Sequence, residues 1–109
     1  MIIKRGDLFP RVEAKVLDEL GNAVDVTGGS VTFAMRNARA PGTKPVDGVA
    51  GGIIAPVTGD IYYQWAAGET DVGGTYEGEF RVSGVTNGPY RVPTSGYLTI
   101  VVEERVGTS

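Results

Sequence analysis

The chain has 109 residues, a net charge of −3, 41% apolar and 21% charged residues, a globular composition long enough for one hydrophobic core and too apolar for a disordered segment. It contains neither cysteine nor histidine, which removes disulfides, thiolate chemistry, histidine-based triads and the common zinc sites. Lys and Arg are nowhere clustered as phosphate contacts require, and no apolar run reaches the ~20 residues of a membrane helix.

The apolar residues are skewed towards sheet: fifteen Val and six Ile against four Leu, with ten Thr and five Tyr, the types that suit a pleated surface. Seventeen Gly and six Pro recur along the chain, as in many short strands joined by turns. Met1 to Lys4 is a short apolar lead that reads as an edge strand. Polar Lys4, Arg5 and Asp7 follow at once, so a signal peptide is not expected. Arg5-Gly6-Asp7 matches the integrin-binding tripeptide, but a local turn is the expected role of so short a match.

Phe9 to Leu17 alternates, with Val12, Ala14 and Val16 on one face and Arg11, Glu13 and Lys15 on the other, as in a half-buried strand. Asp18 to Asn22 is a turn, Ala23 to Val26 a short extended piece, and Asp25 to Gly28 a second turn. Val31 to Arg36 is a strand with Val31, Phe33 and Met35 inward. Asn37 to Gly52 reads as a long surface loop with at most one short strand, anchored by Val46 and Val49.

Ile53 to Val57 is a short strand whose Pro56 argues for an edge. A turn at Thr58-Gly59-Asp60 joins it to Ile61–Trp65 as a hairpin, with Ile61, Tyr63 and Trp65 on one face. Ala66 to Gly74 is a connection. Thr75 to Val82 alternates strictly, Tyr76, Gly78, Phe80 and Val82 against Glu77, Glu79 and Arg81. Asn87-Gly88 signals another hairpin, Pro89 to Val92 is a short extended piece, and Tyr97 to Val102 is a strand with Leu98, Ile100 and Val102 inward. Residues 103–109 read as a frayed tail.

The expectation is one domain over residues 1–109, an all-β, immunoglobulin-like antiparallel β-sandwich of about seven to eight short strands. Its core and corner residues are Phe33, Trp65, Tyr76 and Phe80. Asp71 to Tyr76 reads as a sheet-crossing turn followed by a tyrosine corner, in which the hydroxyl bonds back to the corner backbone.

Chemistry is sparse. No P-loop or EF-hand pattern is present. Glu77 and Glu79 share a strand face about 7 Å apart, and a solvated outer face explains them better than acid–base work. Hence no catalytic, cofactor or metal residues are expected. Tyr62, Tyr90 and Tyr97 are the candidate interface or ligand-facing residues, because exposed tyrosine stacks on sugars or anchors protein contacts.

The order R-G-D…P (Arg5 to Pro10), L-D-E-L-G-N-A-V-D-V-T-G (Leu17 to Gly28), V-T-F-A-M-R (Val31 to Arg36), G-D-I-Y-Y-Q-W (Gly59 to Trp65), G-G-T-Y-E-G-E-F (Gly73 to Phe80) and V-P-T…L-T-I (Val92 to Ile100) resembles the N-terminal domain of the baseplate upper proteins of tailed bacteriophages. The resemblance spans nearly the whole chain and rests on order and spacing. It implies a non-catalytic virion structural protein, present in several copies or as a homo-oligomer, docked on other tail, baseplate or capsid proteins and assembled in the host cytoplasm. It brings no catalytic residue, cofactor, nucleic acid or membrane. Baseplate members continue into a helical trimer-forming region, which is not found here after the strand ending at Val102. A capsid-decoration or fibre-attachment protein is therefore equally compatible, and a carbohydrate-binding host-recognition module is the other alternative.

Overall fold

The computed structural model describes residues 1–106. Among them are nine strands and no helix: β1 (Ile2–Lys4), β2 (Val12–Lys15), β3 (Ser30–Asn37), β4 (Val46–Ala50), β5 (Gly52–Ala55), β6 (Asp60–Tyr63), β7 (Gly74–Ser83), β8 (Tyr90–Val92) and β9 (Leu98–Glu103). One sheet runs β1-β9-β7-β3-β4 with β8 also on β7; the other runs β2-β6-β5. The inward residues of both sheets form a shared core, so the architecture is an all-β sandwich.

β7 is the axis of the larger sheet. Its alternation puts Tyr76, Gly78, Phe80 and Val82 inside and leaves Glu77, Glu79 and Arg81 outside. It pairs with β3 over eight positions, Ser30↔Ser83 to Asn37↔Tyr76. On its other side the first half pairs with β9 and the second half with β8. The β7–β8 loop turns where Asn87 takes a φ of 62°, a conformation asparagine tolerates better than most residues, as Asn87-Gly88 signalled.

Phe33, Trp65, Tyr76 and Phe80 all lie in the core, as expected. Phe33 and Phe80 face each other across β3 and β7 with ring centroids 4.8 Å apart. The Phe33 ring and the Ile100 side chain fill the space above Gly78. A Cβ there would stand 2.6 Å from Ile100 Cδ1 and 2.9 Å from Phe33 Cζ. The corner is also in place: the Tyr76 hydroxyl donates to the Val72 carbonyl at 2.8 Å.

Several expectations need correction. The strands number nine, more than the seven to eight foreseen, and the larger sheet is mixed, because β1 runs parallel to β9. Two-residue turns link only antiparallel neighbours, so no local signal announces a pairing of distant segments. The stretch from Asn37 to Gly52 holds the one short strand allowed for it, β4, and also the last residue of β3 and the first of β5. Val46 is its buried anchor, but Val49 is 42% exposed on the edge strand. Pro56 lies in the turn after β5 rather than inside a strand.

The supposed tail is tied down at its start. Glu103 ends β9, its carbonyl accepts from the Arg5 N–H at 2.7 Å, and its side chain meets Lys4 at 2.9 Å. The rest of that expectation, residues 107–109, lies outside the described residues. Arg5-Gly6-Asp7 is a turn closed by the Asp7 N–H on the Lys4 carbonyl, with Arg5 paired to Glu104.

Two substitutions test this packing. Gly78→Ala is expected to destabilise by ~1–3 kcal/mol, the usual range for overpacking a filled core, read as a lowered midpoint in urea. Tyr76→Phe is expected to cost about 1 kcal/mol, the net worth of one hydrogen bond; an unchanged midpoint would remove the corner bond from the stability of the fold.

Candidate functional site

Tyr62, Tyr90 and Tyr97 are not brought together. Tyr62 projects from the outer face of the three-stranded sheet, where its ring lies over Gly52 and under the Arg11 guanidinium, 4.3 Å from the ring centroid. Tyr90, expected to face outward, packs partly against the core. Only half of the alternation in so short a strand is visible in sequence, and the apolar body of the ring covers the end of the sandwich. Tyr97 precedes β9 and is 50% exposed on the outer face of the larger sheet, with the Arg36 guanidinium 4.6 Å from its centroid.

The surroundings of Tyr97 on the larger sheet bring several charged side chains together. Arg36 Nε donates to Glu77 at 2.9 Å across β3 and β7, and this hydrogen bond pushes the Arg36 pKa above its ordinary value. Arg91 Nη1 donates to Glu79 at 3.0 Å from β8. Lys44 and Asp47 close the far side of a shallow depression of about 320 Å³. Glu77 and Glu79 therefore each face an arginine rather than each other. Such exposed pairs contribute roughly 0–1 kcal/mol each, and their effect is to fix cross-strand register and present a neutralised face. Among the described residues no group of His, Cys, Asp or Glu is placed to hold a metal ion.

The polar groups that enter the core serve its loops. Trp65 Nε1–H donates to the Pro10 carbonyl at 3.0 Å. The Tyr63 hydroxyl donates to the Glu69 carboxylate at 2.7 Å, and the same carboxylate accepts the Ala66 N–H. Burial first, and then this hydrogen bond, raise the Tyr63 pKa far above its ordinary value. Buried Thr70 donates to the Asp7 carbonyl at 2.8 Å. Sequence reasoning missed Arg11 and Arg36 as ring partners, although both sit at outward positions of alternating strands. It also missed Glu69, whose place in a polar connection carries no periodic signal.

Comparison with protein-family models, with curated proteins and with solved structures finds no match for the chain.

The Tyr63 environment gives a pH dependence with a definite sign. An unfolded tyrosine ionises near ~10, whereas the folded chain holds the Tyr63 proton to higher pH. Between the unfolded and the folded value the unfolded state binds fewer protons, so stability falls as pH rises. The contribution is complete below ~10 and is lost as pH climbs towards the folded value. Tyr63→Phe is expected to start less stable and to show a shallower alkaline loss, measured by urea midpoints across that range.

Proposed function

We propose that the chain is a non-catalytic structural module of a tailed-bacteriophage virion, docking in several copies onto other tail, baseplate or head-surface proteins. Support comes first from the ordered motifs between Arg5 and Ile100. The structural observation that carries most weight is the Tyr76–Val72 hydrogen bond, because it lies in the segment G-G-T-Y-E-G-E-F and performs the role that segment has in a sheet-crossing corner.

An immunoglobulin-like arrangement of the sandwich belongs to the same proposal. Strand order β1-β9-β7-β3-β4 over β2-β6-β5 favours it. In antibody domains the second cysteine follows two residues after the corner tyrosine, and a tryptophan packs from the third main strand. Here Gly78 occupies the first position and Phe33, on β3, fills the second. Ring contacts thus stand where a disulfide would. That suits a particle part made in the host cytoplasm, where thiols stay reduced.

The surface suits an assembly part. The molecule is elongated, 46 × 24 × 21 Å, and both of its sheets end in short edge strands, β1 and β4 on one and β2 and β5 on the other. Arginine covers Tyr62 and Tyr97, and the carboxylates of the outer face are paired. A net charge of −3 fits a part that stays off packaged DNA.

Mass spectrometry of gradient-purified particles from cells producing the phage is expected to find the chain at a fixed ratio to a known tail or head protein. Particles that lack it would overturn the proposal. One observation favours a second reading: half-exposed Tyr97 borders the polar depression, an arrangement that suits a sugar. Titration with host surface polysaccharide separates the two, since heat of binding abolished by Tyr97→Ala would move the function to glycan recognition.

A further inference from the structure

β2 is an edge strand of the smaller sheet, paired with β6 on one side only. The ladder fixes which groups are left over. The Val16 N–H donates to the Gly59 carbonyl at 2.8 Å, in step with Ala14↔Ile61 and Val12↔Tyr63. Bonded positions alternate in an antiparallel pair. The N–H and C=O groups of Glu13 and Lys15 therefore point away from β6, into solvent. Alongside runs a groove of about 670 Å³ between Phe9–Glu13 and Leu98–Ile100. Exposed apolar side chains flank the strand at both ends: Leu8 and Phe9 (69% exposed) before it, Leu17 and Leu20 (81% exposed) after it.

An uncovered edge is a template for another strand, and the charges on β2 select which. Its outer face reads Arg11, Glu13, Lys15, alternating in sign. A second copy laid antiparallel about a two-fold axis at Ala14 sets each Glu13 opposite the partner's Lys15, as a hydrogen-bonded pair. Moving the axis to Glu13 opposes two glutamates, and Arg11 to Lys15. Moving it to Lys15 opposes two lysines. Like charges directly opposed are destabilising. An axis at Val12 also sets unlike charges opposite, Glu13 to Arg11, but it overlaps β2 at Val12 alone and so forms almost no ladder. Axes between residues set the free N–H and C=O groups against positions already bonded to β6. One register remains. It also brings the Leu17–Leu20 end of one copy to the Leu8–Phe9 end of the other. The present ion pairs of these residues, Arg11–Glu13 and Lys15–Asp60, are exposed and cost little to give up.

We infer that the chain self-associates through β2 as a two-fold dimer, joining two three-stranded sheets into one of six strands. This stands on the strand edge alone and holds whether or not the chain is a virion part. The experiment is sedimentation velocity from low micromolar to near-millimolar concentration. The native chain is expected to double in mass as concentration rises. Lys15→Glu, which puts Glu against Glu twice, is expected to weaken the dimer roughly tenfold or more. The exchange E13K/K15E restores opposite charges and is expected to restore the dimer, with circular dichroism confirming that each variant is folded. A native chain that stays monomeric at every concentration would overturn the inference and leave the edge to a strand of another protein. So would a dimer indifferent to Lys15→Glu, or a folded double variant that fails to associate.

Discussion

The two sheets meet on the ring of Phe33. It rises from β3, stacks on Tyr63 of the opposite sheet at 4.9 Å and 21°, and meets the edge of Trp65 at 6.1 Å. Aromatic pairs in offset and edge-on geometry add to area burial, so this cluster binds the layers without a covalent bridge. Its size dictates what surrounds it. β7 must carry glycine at position 78, and the polar ends of Tyr63 and Trp65 must leave the core at its rim. They do so at Glu69 and at the Pro10 carbonyl. Two connections that look unanchored in sequence are thereby fastened by core side chains.

Outside this cluster the molecule is governed by cross-strand charge. Arg36–Glu77 and Arg91–Glu79 bridge strands of the larger sheet and Lys15–Asp60 bridges β2 and β6 of the smaller one, while Arg11–Glu13 runs along a single segment. None is buried, so their value lies in register rather than in stability. The arginines also reach the outer-face tyrosines: Arg11 lies over the ring of Tyr62 and Arg36 over that of Tyr97.

Much of this was legible in the residues. Strict alternation placed Phe33, Tyr76, Phe80 and Ile100 inside, and Gly-containing turns placed the β5–β6 hairpin, because period two and turn chemistry are local properties. What escaped was non-local or too short to show a period. β4 lies in a stretch rich in Gly and Pro, where the residues allow a short strand but only the pairing with β3 fixes its place. Tyr90 sits in a three-residue strand whose inward face is set by β7. The scatter of Tyr62, Tyr90 and Tyr97 over separate surfaces depends on which sheet each strand joins, and alternation alone is silent on that.

The parallel pairing of β1 with β9 has a consequence for how the molecule comes together. Lys4 and Glu103 are 99 positions apart in the chain and adjacent in space, and among the described residues β1 pairs with β9 alone. Closing so long a loop carries its full entropic cost before any contact repays it. During synthesis Ile3, buried in the finished molecule, has no place to go until Leu98–Glu103 has left the ribosome. β3, β7 and the smaller sheet can pair before then, while β1 is the strand that must wait.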